Sequence, residues 1–114
     1  MGRSAIVAGT GFPNADGSAR NAIIRNYCKP GMKVHLVREP NNKYDSDAIA
    51  VYIAIPRLFG LLGSSLAQIG YIKAGAADSL AHKIDSGMKI SGTVRSMFAP
   101  NDLVHPRVSL QLDY

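Results

Sequence analysis

Apolar residues in this chain come in short runs that alternate with polar neighbours, and glycine, proline, asparagine or aspartate ends most of them. Period-two alternation puts one apolar face on a strand, and strands of this kind must share a core. Residues 32–38 show it plainly: Met32, Val34 and Leu36 on one face, Lys33, His35 and Val37 on the other. Residues 5–10, 47–53, 68–73, 89–97 and 107–112 read as further strands. Two segments carry the helical period instead. Ser18 caps one running to about residue 27, and residues 74–85 form the clearer one, with Ala77, Leu80, Ala81 and Ile84 on one stripe. Asp78 is expected in the first turn of that second helix, and Gly87 just beyond its end. Residues 55–65 are apolar but broken by Pro56, Gly60 and Gly63, and read as an apolar loop or short 3₁₀ turn. Six short strands and two helices favour a small barrel or sandwich with a helix over one end.

A chain of 114 residues is expected to form one domain, 1–114, that buries roughly two-thirds of its unfolded surface. No apolar run reaches the ~18–20 residues of a membrane helix, and residues 1–8 lack a signal-peptide pattern. A single cysteine, Cys28, excludes an internal disulfide and a cysteine-rich zinc site. The expected compartment is therefore a reducing cytoplasm. Thirteen basic against eight acidic residues give a net charge of +5, which permits an anionic partner, nucleic acid first, without requiring one.

No catalytic constellation stands out, and no metal or cofactor is expected. His35, His82 and His105 fall on a strand, a helix and a loop, without metal-site spacing between them. Cys28 reads as a buried structural thiol. Ser64-Ser65 lacks a nucleophile elbow, and Gly9-Thr10-Gly11 lacks the third glycine of a dinucleotide loop. Asp45 and Asp47 alternate across a strand start, which argues against paired acid–base work.

The segment Arg38-Glu39-Pro40-Asn41-Asn42-Lys43-Tyr44-Asp45-Ser46-Asp47-Ala48-Ile49-Ala50-Val51 is the most informative. A loop rich in turn formers joins two apolar strands and presents an aromatic, amides, a carboxylate and cations together. Read by its residues alone, it fits an Asx-turn hairpin. It also resembles the signature of the HIRAN domain family. Val7-Ala8-Gly9 with Phe12, Lys29-Pro30-Gly31 before a strand, and Gln68-Ile69-Gly70-Tyr71-Ile72-Lys73 before a helix follow the family pattern in order and spacing.

The resemblance implies a mainly β fold, a small OB-like six-stranded β-barrel with two α-helices. It further implies a non-enzymatic module that binds single-stranded DNA at or near a free 3′ end, in repair or replication-fork restart. Carried over by position, Tyr44 and Phe12 would stack on bases, and Asp45 would contact the terminal hydroxyl. Arg38, Asn42 and Lys73 would complete the DNA-binding set, with Phe98 as a third aromatic. A partner helicase, translocase or nuclease would use the captured end. Two departures stand out. Gly11 occupies the place of an arginine in the DNA-end-binding eukaryotic members, and Phe12 replaces a tyrosine. The alternative is a protein-interaction adaptor docking through the apolar 55–66 loop, centred on residues 58–62. A third reading, an enzyme with a divalent metal on Asp45 and Asp47, has only two clustered carboxylates behind it.

Overall fold

The computed structural model describes residues 2–57 and 61–114. The turn formers cut the chain into β1 (Gly2–Ala8), α1 (Arg20–Tyr27), β2 (Lys33–Arg38), β3 (Ile49–Pro56), β4 (Ser64–Ile72), α2 (Ala74–Asp85), β5 (Ser91–Phe98) and β6 (Arg107–Asp113). The six strands close into an antiparallel barrel in the order β1-β4-β3-β2-β5-β6, with β6 returning to β1. Closure removes the unpaired edges that an open sheet of this size would present.

Alternate residues along much of the strands enter the barrel. Ala5 and Val7, Ile49, Val51 and Ile53, and Val108, Leu110 and Leu112 are all buried. Ile23, Ile24 and Cys28 from the α1 region, and Ala77, Leu80 and Ala81 from α2, join the same cluster. Each fully buried aliphatic side chain contributes roughly 1.5–3 kcal/mol.

Several boundaries differ from the sequence expectation, each for a local reason. β1 stops at Ala8 rather than residue 10, because Gly9 turns the backbone at φ 74°. Ser18 does not cap α1. Its N–H and Oγ both donate to Asp16 Oδ1, at 2.9 and 2.6 Å, and the cap position falls to Ala19. Asp78 lies one residue past the first turn of α2 and pairs with His82 at 3.3 Å instead. Segment 55–65 is corrected at its ends: β3 runs on to Pro56, β4 starts at Ser64, and these two residues are cross-strand partners, while residues 61–62 form a turn. The backbone N–H of Arg57 reaches Gly63 O at 2.9 Å. Pro56 and Gly63 sit where the hairpin ends and turns, so breakers that suggested a loop instead mark a strand end. In β5 a bulge between Val94 and Ser96 shifts the register, so Ser96 is exposed and Met97 is half-buried.

The joint between β1 and β4 is short, with only Val7↔Ile72 and Ala8↔Tyr71 in register. Gly70 makes it possible. A Cβ there would collide with the Ala8 carbonyl oxygen and lie 2.7 Å from Val7 Cγ1. Gly70→Ala is therefore expected to cost at least the ~1–3 kcal/mol of overpacking, read as a lower midpoint in urea unfolding. Cys28 is 4% exposed, and burial pushes its thiol up to about 11. A thiol reagent at pH 8 should leave the native protein unmodified and label it once on unfolding; rapid native labelling would contradict this burial.

Candidate functional site

The turn after β1 is organised by one carbonyl. Gly9 adopts a left-handed conformation open to glycine at little cost. Its oxygen accepts from the Phe12 N–H at 3.2 Å and from Arg20 Nη1 at 3.0 Å. The tight turn throws Phe12 outward, leaving it 60% exposed. His105 meets its ring edge-on, with centroids 5.7 Å apart. Gly11 leaves room for that imidazole, since a Cβ at position 11 would fall on the His105 ring.

The loop between β2 and β3 is built by its own side chains. Asn42 Oδ1 accepts from the backbone N–H of Tyr44 at 2.9 Å and of Asp45 at 3.1 Å. Its Nδ2 donates to Glu39 Oε1 at 3.0 Å, and the Tyr71 hydroxyl donates to the same oxygen at 2.9 Å. Asp45 Oδ1 accepts from the Asp47 N–H at 2.9 Å. Local bonds of this kind fix a loop without regular structure. Tyr44 is left fully presented, 87% exposed, with Lys43 Nζ 5.2 Å from its ring centre.

Arg20 opens α1 and faces back under this loop. Its Nε donates to Asn14 Oδ1 at 2.7 Å, and its guanidinium lies 5.4 Å from the Tyr71 ring centre. The result is an open groove of about 540 Å³. Phe12 and Tyr44 line it together with Arg20, Lys43, Asn42 and Asp45, and Tyr71 contributes to its lining. Burial first, then Glu39 and Tyr71, raise the neighbouring Tyr52 hydroxyl above its usual range, while Arg20 pulls it the other way. Two exposed rings, two cations and a single carboxylate therefore share one groove.

The sequence matches the HIRAN domain over residues 6–113. The chain belongs to the HIRAN domain family. Members of that family are known generally as DNA-binding modules. Two solved structures are similar in fold, each at 24% identity and each matching 97% of this chain. One is the HIRAN domain of human HLTF, with a TM-score of 0.65 and 72% of that chain covered. The other is a protein from Lactobacillus plantarum, with a TM-score of 0.67 and 92% of that chain covered. No curated protein matches the sequence.

In this HIRAN domain the expected site residues divide into two groups. Phe12, Asn42, Tyr44 and Asp45 converge on the groove. Lys73 is exposed at the N-terminal end of α2, next to the groove residues Ile72 and Ala74 but outside the groove itself. Arg38 is committed elsewhere: Nε and Nη2 donate to Asp85 at 2.9 and 3.0 Å, and Nη1 donates to Ala48 O at 2.8 Å. It ties the loop's end to α2. Phe98 lies in a separate shallow pocket with Ile6, Met97 and Val108. Asp47 groups with Asp78 and His82, their ligand atoms within 4.8 Å, rather than with Asp45. Residues 58–60 of the expected docking loop lie outside the described residues, while Leu61, Leu62 and Leu66 are exposed.

Sequence reasoning missed Arg20, Lys43 and Tyr71. The signal for Arg20 was its phase: it shares the inward stripe of α1 with Ile23 and Ile24, where a charge is out of place. No helix among the described residues is long and apolar enough to cross a membrane.

The Arg38 hydrogen bond holds the Asp85 carboxyl below its ordinary 3.8. A depressed carboxylate stabilises the fold above its unfolded value, and the contribution fades as pH falls through the folded value. Asp85→Asn should therefore melt below the parent at pH 7, and the difference should close below pH 3.8. A gap independent of pH would remove the ion pair as its source.

Proposed function

We propose that this domain is a non-enzymatic module that holds single-stranded DNA in the groove between Phe12 and Tyr44, at or near a free 3′ end. The observation that carries this reading is two exposed rings flanking one groove that also contains two cations. A base presents a flat π-face whatever its identity, so such rings grip a strand without reading its sequence, at about 1–3 kcal/mol per stacked base. Arg and Lys favour the phosphates and make affinity fall with salt.

Asp45 gives the reading its end preference. A carboxylate beside a polyanion is unfavourable unless it accepts a hydrogen bond. A terminal hydroxyl donates one; an internal phosphodiester does not. Its Oδ1 is engaged by the loop, so Oδ2 would face the strand. The family resemblance, which implies an end-reading carboxylate at position 45, supports this reading. A role in repair or replication restart, with a partner helicase, translocase or nuclease acting on the held end, follows from this reading.

Fluorescence anisotropy with labelled oligonucleotides ending in a 3′ hydroxyl or a 3′ phosphate, at two salt concentrations, tests it. The hydroxyl end should bind more tightly, Asp45→Ala should erase the difference, and Phe12→Ala should weaken both by roughly 5–150-fold. Equal affinity for the two ends would reject Asp45 as an end reader. No binding at low salt would sink the strand-binding reading and favour protein contact through the exposed Leu61, Leu62 and Leu66.

A further inference from the structure

We propose that Arg20 is a preformed receptor for one phosphodiester of the bound strand, set in the wall of the groove. The assignment rests on the strand-binding reading and names the group that would anchor the backbone. Arg20 is 8% exposed, and it is the one buried charged residue among the described residues. Ion pairs among those residues join Arg38 to Asp85 and His82 to Asp78; none involves Arg20. Its contacts are neutral: the Asn14 amide oxygen, the Gly9 carbonyl and the face of Tyr71. The nearby Glu39 is held by the Tyr71 hydroxyl and Asn42.

A buried cation without an anion is costly, and proteins ordinarily pair it. Arg20 is among the residues that line the groove, so this charge borders the open space. Nε and Nη1 are held by the turn, while Nη2 has no partner among the described residues. The planar fork is thus fixed before any ligand arrives, with donor capacity left for a phosphate oxygen. Phe12 is held by the same Gly9 carbonyl that holds Nη1. A base stacked on Phe12 would therefore bring its adjacent phosphate toward Arg20. Lys43, exposed and over the Tyr44 ring, would add charge from a long flexible stem rather than a held fork.

The test replaces single phosphates of a labelled oligothymidine by neutral methylphosphonates, one linkage at a time from the 3′ end. The parent protein should lose roughly 10–100-fold in affinity at one linkage, the size of a charge-assisted hydrogen bond. Arg20→Gln should bind more weakly and be indifferent to that linkage, and its salt slope should be shallower by about 0.7. Arg20→Lys, which retains charge, should keep a reduced response at the same linkage. Lys43→Gln should weaken binding while leaving the linkage profile intact. If Arg20→Gln fails to fold by circular dichroism, the parent and Arg20→Lys profiles decide. A flat profile in the parent, or an unchanged profile in the folded Arg20→Gln protein, would reduce Arg20 to a brace of the turn and leave strand binding standing. Inorganic phosphate competing as well as oligonucleotide at equal phosphate concentration would assign the site to free phosphate and overturn the proposal. Absence of binding to every oligonucleotide would remove both readings together.

Discussion

The close approach of β1 to β4 at Gly70 is the constraint on which the rest of this structure depends. No side chain fits there: the Ala8 carbonyl and Val7 occupy the space a Cβ would need. The bare backbone lets β1 complete the barrel through only two residue pairs. Those two pairs also decide the site. Ala8 sits opposite Tyr71, so the turn that follows β1, carrying Phe12, opens beside the aromatic that Arg20 covers. Barrel closure and the groove share this joint.

Around Tyr71 the polar groups form a continuous chain. Arg20 lies over its ring, Glu39 accepts from its hydroxyl, Asn42 donates to Glu39, and Asn42 also gathers the backbone of Tyr44 and Asp45. Each member has at least one partner within the protein, and such connected polar groups rigidify what they join. The groove consequently has the character of a preset surface. The backbone that carries its rings, and one oxygen of its carboxylate, are held by bonds made within the protein, so a ligand would find the loops already shaped.

Much of this could be read from the residues. Period-two alternation marks strands, and the stripe of Ala77, Leu80 and Ala81 marks α2 from Ala74 to Asp85. The loop around Asn42 was legible as an Asx turn because its chemistry is local. What escaped was non-local. Pro56 and Gly63 look like breakers until their strands are paired with each other. The β5 bulge swaps the faces of Ser96 and Met97, and nothing in the sequence announces it. Arg38 belongs to the signature stretch, but only the folded chain shows its guanidinium spent on Asp85 and Ala48. The resemblance implies Phe98 as a third aromatic of the site, while the fold puts it in a different pocket, with Ile6, Met97 and Val108.

The groove draws on the turn after β1, the start of α1, the β2–β3 loop and the β4–α2 junction. No single stretch of chain holds enough of it to work alone. A fragment limited to the β2–β3 loop would keep Tyr44 and Asp45 but lack Phe12, Arg20 and Tyr71. Ligand affinity and global unfolding are therefore thermodynamically linked: whatever fills the groove selects the intact barrel and raises its stability by mass action. Distant core residues such as Leu110 then become, in effect, binding residues, because they set the fraction of molecules in which a groove exists at all.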